Sequence, residues 1–251
     1  MSSCDASQSA GRNPVGHQGM SAEGIEQRRH LRHTLQLPLL HRERTGDNTP
    51  VGVGWTRNIS ESGACLELAE LLGAGTPLRL RLRTDRGFVE ADAEVTWSRE
   101  QQTLWAREGG PQAGGVLHGA SFTRIMPEHP EGFREWLEAR KDGRAGGIRL
   151  PADLSVLCYR RHGPVGPLSG RTRDINRKGA LLLLQEALHV GTALDIMLQP
   201  EDGSFAVQAV VAWVGPTDAR LPGSLIRHGV RFPTLSWSSS LSLGLALTVL
   251  A

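Results

Sequence analysis

The chain lacks most of what the common function classes require. Its 251 residues hold three cysteines, Cys4, Cys65 and Cys158. The number is odd and no pair has metal-ligand spacing, which argues against a disulfide framework or a thiolate metal site. Cys65 and Cys158 stand in apolar runs and read as buried, inert thiols suited to a reducing compartment. No sign of charge dominates: the formal net charge is +2, so any anion site must be local. The longest apolar tract, "LSLGLALTVLA", is too short to span a bilayer. The first 24 residues, rich in Ser, Gly, Ala and Gln, have no apolar centre. They read as a disordered leader, not a signal peptide. No glycine-rich phosphate loop precedes a helix, and no Ser-His-Asp or paired-carboxylate set stands out. Enzyme is therefore the least supported class, and neither a catalytic residue nor a metal is expected.

What the chain does have is a repeat. "TRNISESGACLEL" at 56–68 returns as "TRDINRKGALLLL" at 172–184. Asn58 and Asp174, Thr76 and Thr192, and Trp97 and Trp213 are each 116 residues apart, while Gly119 and Gly229 are 110 apart. Three matches in one register and a fourth after a six-residue contraction establish a duplication with one loop shortened.

Each unit reads as mainly β. "PLRLRLRT" and "FVEADAEVTWS" alternate apolar and polar residues, the period of a half-buried strand. "GASFTRI" and "GVRFPTL" read as closing strands. In "PEHPEGFREWLEARK" the residues Phe133, Trp136 and Leu137 have helical spacing. Short strands capped by a helix predict a small antiparallel barrel of about a hundred residues per unit. "DGRAGG" supplies the linker, which divides the chain into a leader at 1–24, a first domain at 25–141, a linker at 142–147 and a second domain at 148–251. The final apolar tail fits a buried helix or a late strand equally well.

Two polar segments of the first unit could carry chemistry. In "EQRRHLRHTLQLPLL", Arg28, Arg29 and Arg32 crowd ahead of a β-like run. Arginine suits bidentate recognition of phosphate and guanine edges and stacks on bases. In "NISESG", Asn58 and Ser60 would share one strand face, with Ile59 turned to the core. Gly63 permits either a positive φ or a close backbone approach. Each segment alone reads as a solvated basic stretch or a plain turn. His118 and His228 each precede a repeated glycine, and Trp97 and Trp213 match in register. All four read as framework, the tryptophans as core or barrel packing.

Together the segments say more. Arg-x-x-x-Arg at 28–32, followed by Asn-x-Ser-x-x-Gly at 58–63 on a short-stranded framework, resembles the PilZ domain family. The resemblance runs from about Arg28 to Arg140. It implies six-stranded barrels and a cyclic di-GMP ligand gripped by Arg28 and Arg32 and bonded by Asn58, Ser60 and Gly63. Arg29 is an adjacent candidate without a motif position. The second unit departs from the pattern. Arg149 aligns with Arg32, but Ala145 stands where the first arginine belongs, with Arg144 one place away. Asp174 and Gly179 fit, Asn176 replaces the serine, and Arg177 and Lys178 add charge. That unit reads as a degraded site in which Arg149, Asp174 and Gly179 are weaker candidates. The chain as a whole reads as a cytoplasmic, non-enzymatic cyclic di-GMP receptor. The first domain would bind the ligand and relay it by conformational change to an unidentified protein partner, and a homodimer is allowed. The alternative is a PilZ-like interaction scaffold that binds no nucleotide. A nucleic-acid-binding barrel is disfavoured, because one tyrosine, five phenylalanines and framework tryptophans make a thin stacking platform.

Overall fold

A computed structural model describes residues 31–44, 49–101, 104–106, 110–112, 114–126, 130–140, 147–162, 166–201, 203–217 and 225–249. The leader, Cys4, Arg28, Arg29, Arg144, Ala145 and all of the linker except Gly147 lie outside the described residues.

The first half contributes β1 (Pro38–Glu43), β2 (Gly52–Ser60), β3 (Gly63–Leu68), β4 (Pro77–Thr84), β5 (Gly87–Arg99), β6 (Leu104–Ala106), β7 (Gly110–Gln112), β8 (Val116–Met126) and α1 (Pro130–Glu138). Six of these strands close into an antiparallel barrel in the order β1-β2-β3-β8-β5-β4. The alternation in β4 explains the wall. Leu78, Leu80 and Leu82 fill the interior, while Arg79, Arg81 and Arg83 face outward. Outside, Arg79 pairs with Asp92, and Arg81 and Arg83 lie over Phe88. Phe133, Trp136 and Leu137 of α1 join the first core, as their spacing predicts. The extra length of the first copy holds β6 and β7, which among the described residues pair only with each other.

The second half contributes β9 (Leu150–Pro151), β10 (Ser155–Arg160), β11 (Pro167–Asn176), β12 (Gly179–Leu184), β13 (Ala193–Gln199), β14 (Phe205–Thr217), β15 (Ile226–Arg231) and α2 (Trp237–Val249). Strands β10-β13-β14-β15-β12-β11 close through a β10–β11 pairing, with β9 appended to β11. The fold is thus mainly β, two six-stranded antiparallel barrels, each followed by a helix.

The duplication extends to fine detail. Gly75 and Gly191 take positive φ (86° and 90°) at the same turn. Bulges recur at Thr56/Asn58 and Thr172/Asp174, and at Val95/Trp97 and Val211/Trp213. His118 Nε2 accepts the Leu72 amide at 3.1 Å, and His228 Nε2 accepts that of Leu188 at 3.0 Å. Both imidazoles are framework. Burial is the main reason that each titrates below the ordinary histidine range, and the hydrogen bond to a backbone carbonyl offsets it only in part. The two tryptophans differ from a core reading. Trp97 and Trp213 lie on the outer wall, 40% and 46% exposed. Their rings cover Gly119 and Gly229, where a Cβ would fall 2.0 and 1.9 Å from the indole nitrogen.

The apolar tail is a helix. Ser236 caps it, its Oγ accepting the Ser239 amide at 3.0 Å. Helix α2 carries no charged residue and is shared between the barrels. It contacts β1, β2 and β4 of the first barrel and β14 of the second. Leu243 and Leu247 enter the second core together with Trp55 of the first barrel, whose Nε1 donates to Ser240 O at 2.9 Å. Among the described residues no helix is long and apolar enough to cross a membrane.

Candidate functional site

The site is built on β2, and the chain entering the first barrel fixes its geometry. That segment runs antiparallel to β2: His33 and Ile59 exchange both backbone hydrogen bonds, at 2.8 and 2.9 Å. Thr56 locks the next turn. Its amide donates to Leu37 O, and its Oγ1 donates to Leu35 O at 2.6 Å while accepting the Leu37 amide at 2.9 Å. Leu35 and Leu37 are buried beneath. This clasp brings the two sequence motifs together. Arg32 Nη1 donates to Asn58 Oδ1 at 3.1 Å, and the pair is exposed.

A bulge at Arg57 shifts the register so that Asn58 pairs with Cys65 on β3. Cys65 therefore lies under the site, and the charges of Arg32, Arg57 and Arg99 all reach it. Burial is the chief influence on its thiol and raises the pKa against those cations; burial likewise drives Cys158 up to about 12. Both thiols are free and buried, as their apolar surroundings predict.

Ser60 and Gly63 serve the hairpin. Ser60 is 2% exposed and its hydroxyl donates to Gly63 O at 3.1 Å. Gly63 is needed for close approach, because a Cβ there would fall 2.3 Å from Ala120 O. Gly179 matches it, 2.1 Å from Val230 O. Of the candidates in the first barrel, Arg32 and Asn58 meet at the surface, Ser60 and Gly63 lie beneath, and Arg28 and Arg29 fall outside the described residues.

The second barrel repeats the scaffold with different polar groups. Thr172 makes the Thr56 bonds, to Leu154 N and Ala152 O. Arg149 Nη1 pairs with Asp174 Oδ1 at 2.7 Å, so an ion pair stands where the first copy has a neutral acceptor. Asn176 Oδ1 accepts the Lys178 and Gly179 amides at 2.9 and 3.1 Å, and its Nδ2 donates to Ile148 O at 3.2 Å. It is a turn residue.

Sequence reasoning missed a polar cluster beside Asn58. Glu67, 4% exposed, receives Arg177 Nη1 of the second barrel on Oε2 at 2.5 Å and Gln101 Nε2 on Oε1 at 3.1 Å. Arg57 Nε stands 3.7 Å from the same Oε2, and its Nη2 donates to Gln101 Oε1 at 3.2 Å. The Arg177 guanidinium lies between two indoles, 5.5 Å from the Trp55 ring and 5.7 Å from that of Trp237. Burial pushes the Glu67 carboxyl up, but the Arg177 hydrogen bond and charge, then Arg57, outweigh it and hold the group below the ordinary glutamate range. The repeat carried a signal: Glu67 aligns with Leu183, so a charge stands where the copy has a leucine. Among the described residues no group of three or more His, Cys, Asp or Glu could hold a metal ion.

No curated protein matches the chain. Similar solved structures include the K. pneumonia MrkH–c-di-GMP complex, at 14% identity and TM-score 0.35 over 85% of this chain and 87% of that one. Borreliella burgdorferi PlzA in complex with c-di-GMP is similar at 12% identity and TM-score 0.36, covering 85% and 86%. The PilZ domain of Escherichia coli YcgR with c-di-GMP is similar at 14% identity and TM-score 0.36, covering 46% of this chain and 96% of that one. The sequence matches the PilZ domain family twice, over residues 26–131 and 138–241, and with both barrels accounted for the chain belongs to the PilZ family.

Proposed function

We propose that this protein is a cytoplasmic, non-enzymatic cyclic di-GMP receptor that binds the dinucleotide on the outer face of the first barrel. The observation that carries the reading is the Arg32–Asn58 contact, 3.1 Å across 26 residues of sequence. It brings a guanidinium and a neutral amide, from separate segments, to one exposed place. A cyclic dinucleotide offers two phosphodiester anions and two guanines. Arg32 supplies bidentate donors for phosphate oxygens and for guanine O6 and N7, and the family motif assigns the same role to Arg28, with Arg29 an adjacent candidate in sequence. The Asn58 Oδ1, released by Arg32, accepts from guanine N–H groups. Ser60 and Gly63 hold the hairpin that presents Asn58. In the second barrel Asp174 is already neutralised by Arg149 and Ala145 replaces an arginine, which supports one site per chain.

One observation favours the scaffold alternative: the Ser60 hydroxyl is buried and committed to its own turn. Calorimetric titration of the full chain with cyclic di-GMP decides between the two. The receptor reading expects saturable binding that Arg32→Ala and Asn58→Ala each weaken at least tenfold. Absence of heat at any ligand concentration used, with a folded protein by circular dichroism, leaves the scaffold.

A further inference from the structure

Arg57 stands between two claims on its charge. On one side is Glu67 Oε2, 3.7 Å away. On the other is the ligand face: Arg57 directly precedes Asn58, and its charge acts on Cys65 together with those of Arg32 and Arg99. The Arg57 side chain is 41% exposed, whereas those of Glu67 and Arg177 are only 5% and 15% exposed. A dianionic ligand on that face can therefore recruit Arg57, but not Arg177, which is closed in between Trp55 and Trp237.

The cluster belongs to the first barrel's contact with the second. Glu67 aligns with Leu183, so the second copy has no equivalent carboxylate. Gly115 lets the contact close, since a Cβ there would fall 2.6 Å from the Trp237 ring and 2.7 Å from Glu67 Cγ. Glu67 is thus one carboxylate with two guanidinium partners, one from each barrel.

We propose that Arg57 is a ligand-contacting residue that exchanges Glu67 for a phosphodiester of the bound dinucleotide, so that Glu67 couples the first-barrel site to the second barrel through Arg177. This rests on the function proposed above. The coupling has a definite sign. Without ligand, Arg177 satisfies most of Glu67 and leaves Arg57 loosely held. Without Arg177, Glu67 is uncompensated and holds Arg57 harder, opposing the ligand. Without the Glu67 charge, Arg57 keeps only its neutral hydrogen bond to Gln101 and the face is more positive. Linkage requires that ligand binding alter the Arg177–Glu67 contact by the same factor.

The test is titration of the full-length protein and its variants with cyclic di-GMP. Glu67→Gln is expected to tighten binding and Arg177→Met to weaken it, each by about fivefold or more, the low end of allosteric couplings. Arg57→Ala is expected to weaken binding and to abolish the effect of adding Arg177→Met. Arg177→Lys, which keeps the charge, is expected to lie near wild type. General damage to the barrel contact would weaken binding in both latch variants, so shifts of the same sign, or none, overturn the inference while leaving the receptor reading intact. A wild-type protein that binds no ligand overturns both.

Discussion

Glu61 and Arg177 occupy the same place in the two repeats and carry opposite charges to opposite ends. Glu61 takes Arg134 of its own helix α1 at 2.9 Å. Arg177 reaches across to Glu67 of the other barrel at 2.5 Å. The motif hairpin that fastens the first barrel to its own helix thus fastens the second barrel to the first. The charge is opposite in the two copies, and the tie is internal in one and between barrels in the other, at the position directly after the serine-to-asparagine difference.

That tie has a measurable stability. Arg177→Ala leaves Glu67 buried with only Gln101 and a distant Arg57. Breaking a buried pair from one side costs about 3–5 kcal/mol when nothing compensates. With these two groups remaining, a loss of about 2 kcal/mol is expected from urea denaturation. Arg161→Ala is the control. Its partner Asp195 is half exposed, and the expected loss is much smaller than that of Arg177→Ala, because solvent screens an exposed pair.

The titrating groups of the interior set the response to acid. His118, His228 and His41 have pKa values lowered mainly by burial. A lowered histidine binds its proton more readily when unfolded, so its neutral form favours the native state. That contribution is complete above about 6.5, the unfolded value, and is lost as pH falls from there through the folded value. Protonation would also cost the Nε2 acceptors of the Leu72 and Leu188 amides. Glu67 adds a second, lower window. Its pKa is depressed, so its contribution holds above the ordinary glutamate range and fades as pH drops through the folded value. Denaturant midpoints measured from pH 8 to 4 should therefore fall below pH 6.5. His118→Gln and His228→Gln should flatten the early part of the fall, and Glu67→Gln the late part.

The barrels were legible in the sequence because period-two alternation, as in Leu78, Leu80 and Leu82, reports burial directly. The duplication was legible because both copies keep the residues that solve the same local problems, such as Gly63 and Gly179 under a facing carbonyl. Half of the candidate site was legible too: Arg32 and Asn58 stood out by motif and the structure places them in contact. The Glu67–Arg177 cluster was not, because its partners are 110 residues apart and nothing local specifies such a pair. Helix α2 was ambiguous for a related reason. A helix packed on several sides loses the polar stripe by which periodicity is recognised.

The two glycine positions separate by what their neighbours can yield. An alanine Cβ at Gly63 meets the Ala120 carbonyl at 2.3 Å, and backbone of a central strand cannot retreat. At Gly119 it meets the Trp97 indole at 2.0 Å, and that ring is free on its solvent side. Gly63→Ala is expected to cost about 3 kcal/mol and Gly119→Ala nearer 1 kcal/mol, the range for overpacking. Thermal unfolding followed by circular dichroism ranks them. Equal costs would mean that Trp97 is as fixed as a strand.

The last prediction concerns the asymmetry between the copies. Asn58 and Asp174 hold matched places on matched bulges, each with an arginine bonded to it, at 3.1 and 2.7 Å. If the first barrel alone receives the ligand, Asn58→Ala lowers cyclic di-GMP affinity at least tenfold, whereas Asp174→Ala leaves affinity and a stoichiometry of one unchanged. Stability should discriminate in the opposite sense only slightly. The Arg149–Asp174 pair is solvent-accessible on both sides, so its loss costs below about 1 kcal/mol. Calorimetry reads affinity and stoichiometry in one experiment. A stoichiometry of two, or a loss of affinity in Asp174→Ala equal to that in Asn58→Ala, would assign the second barrel a share in binding. Its arginine–aspartate pair would then be a ligand-free resting state, not a substitute for the ligand.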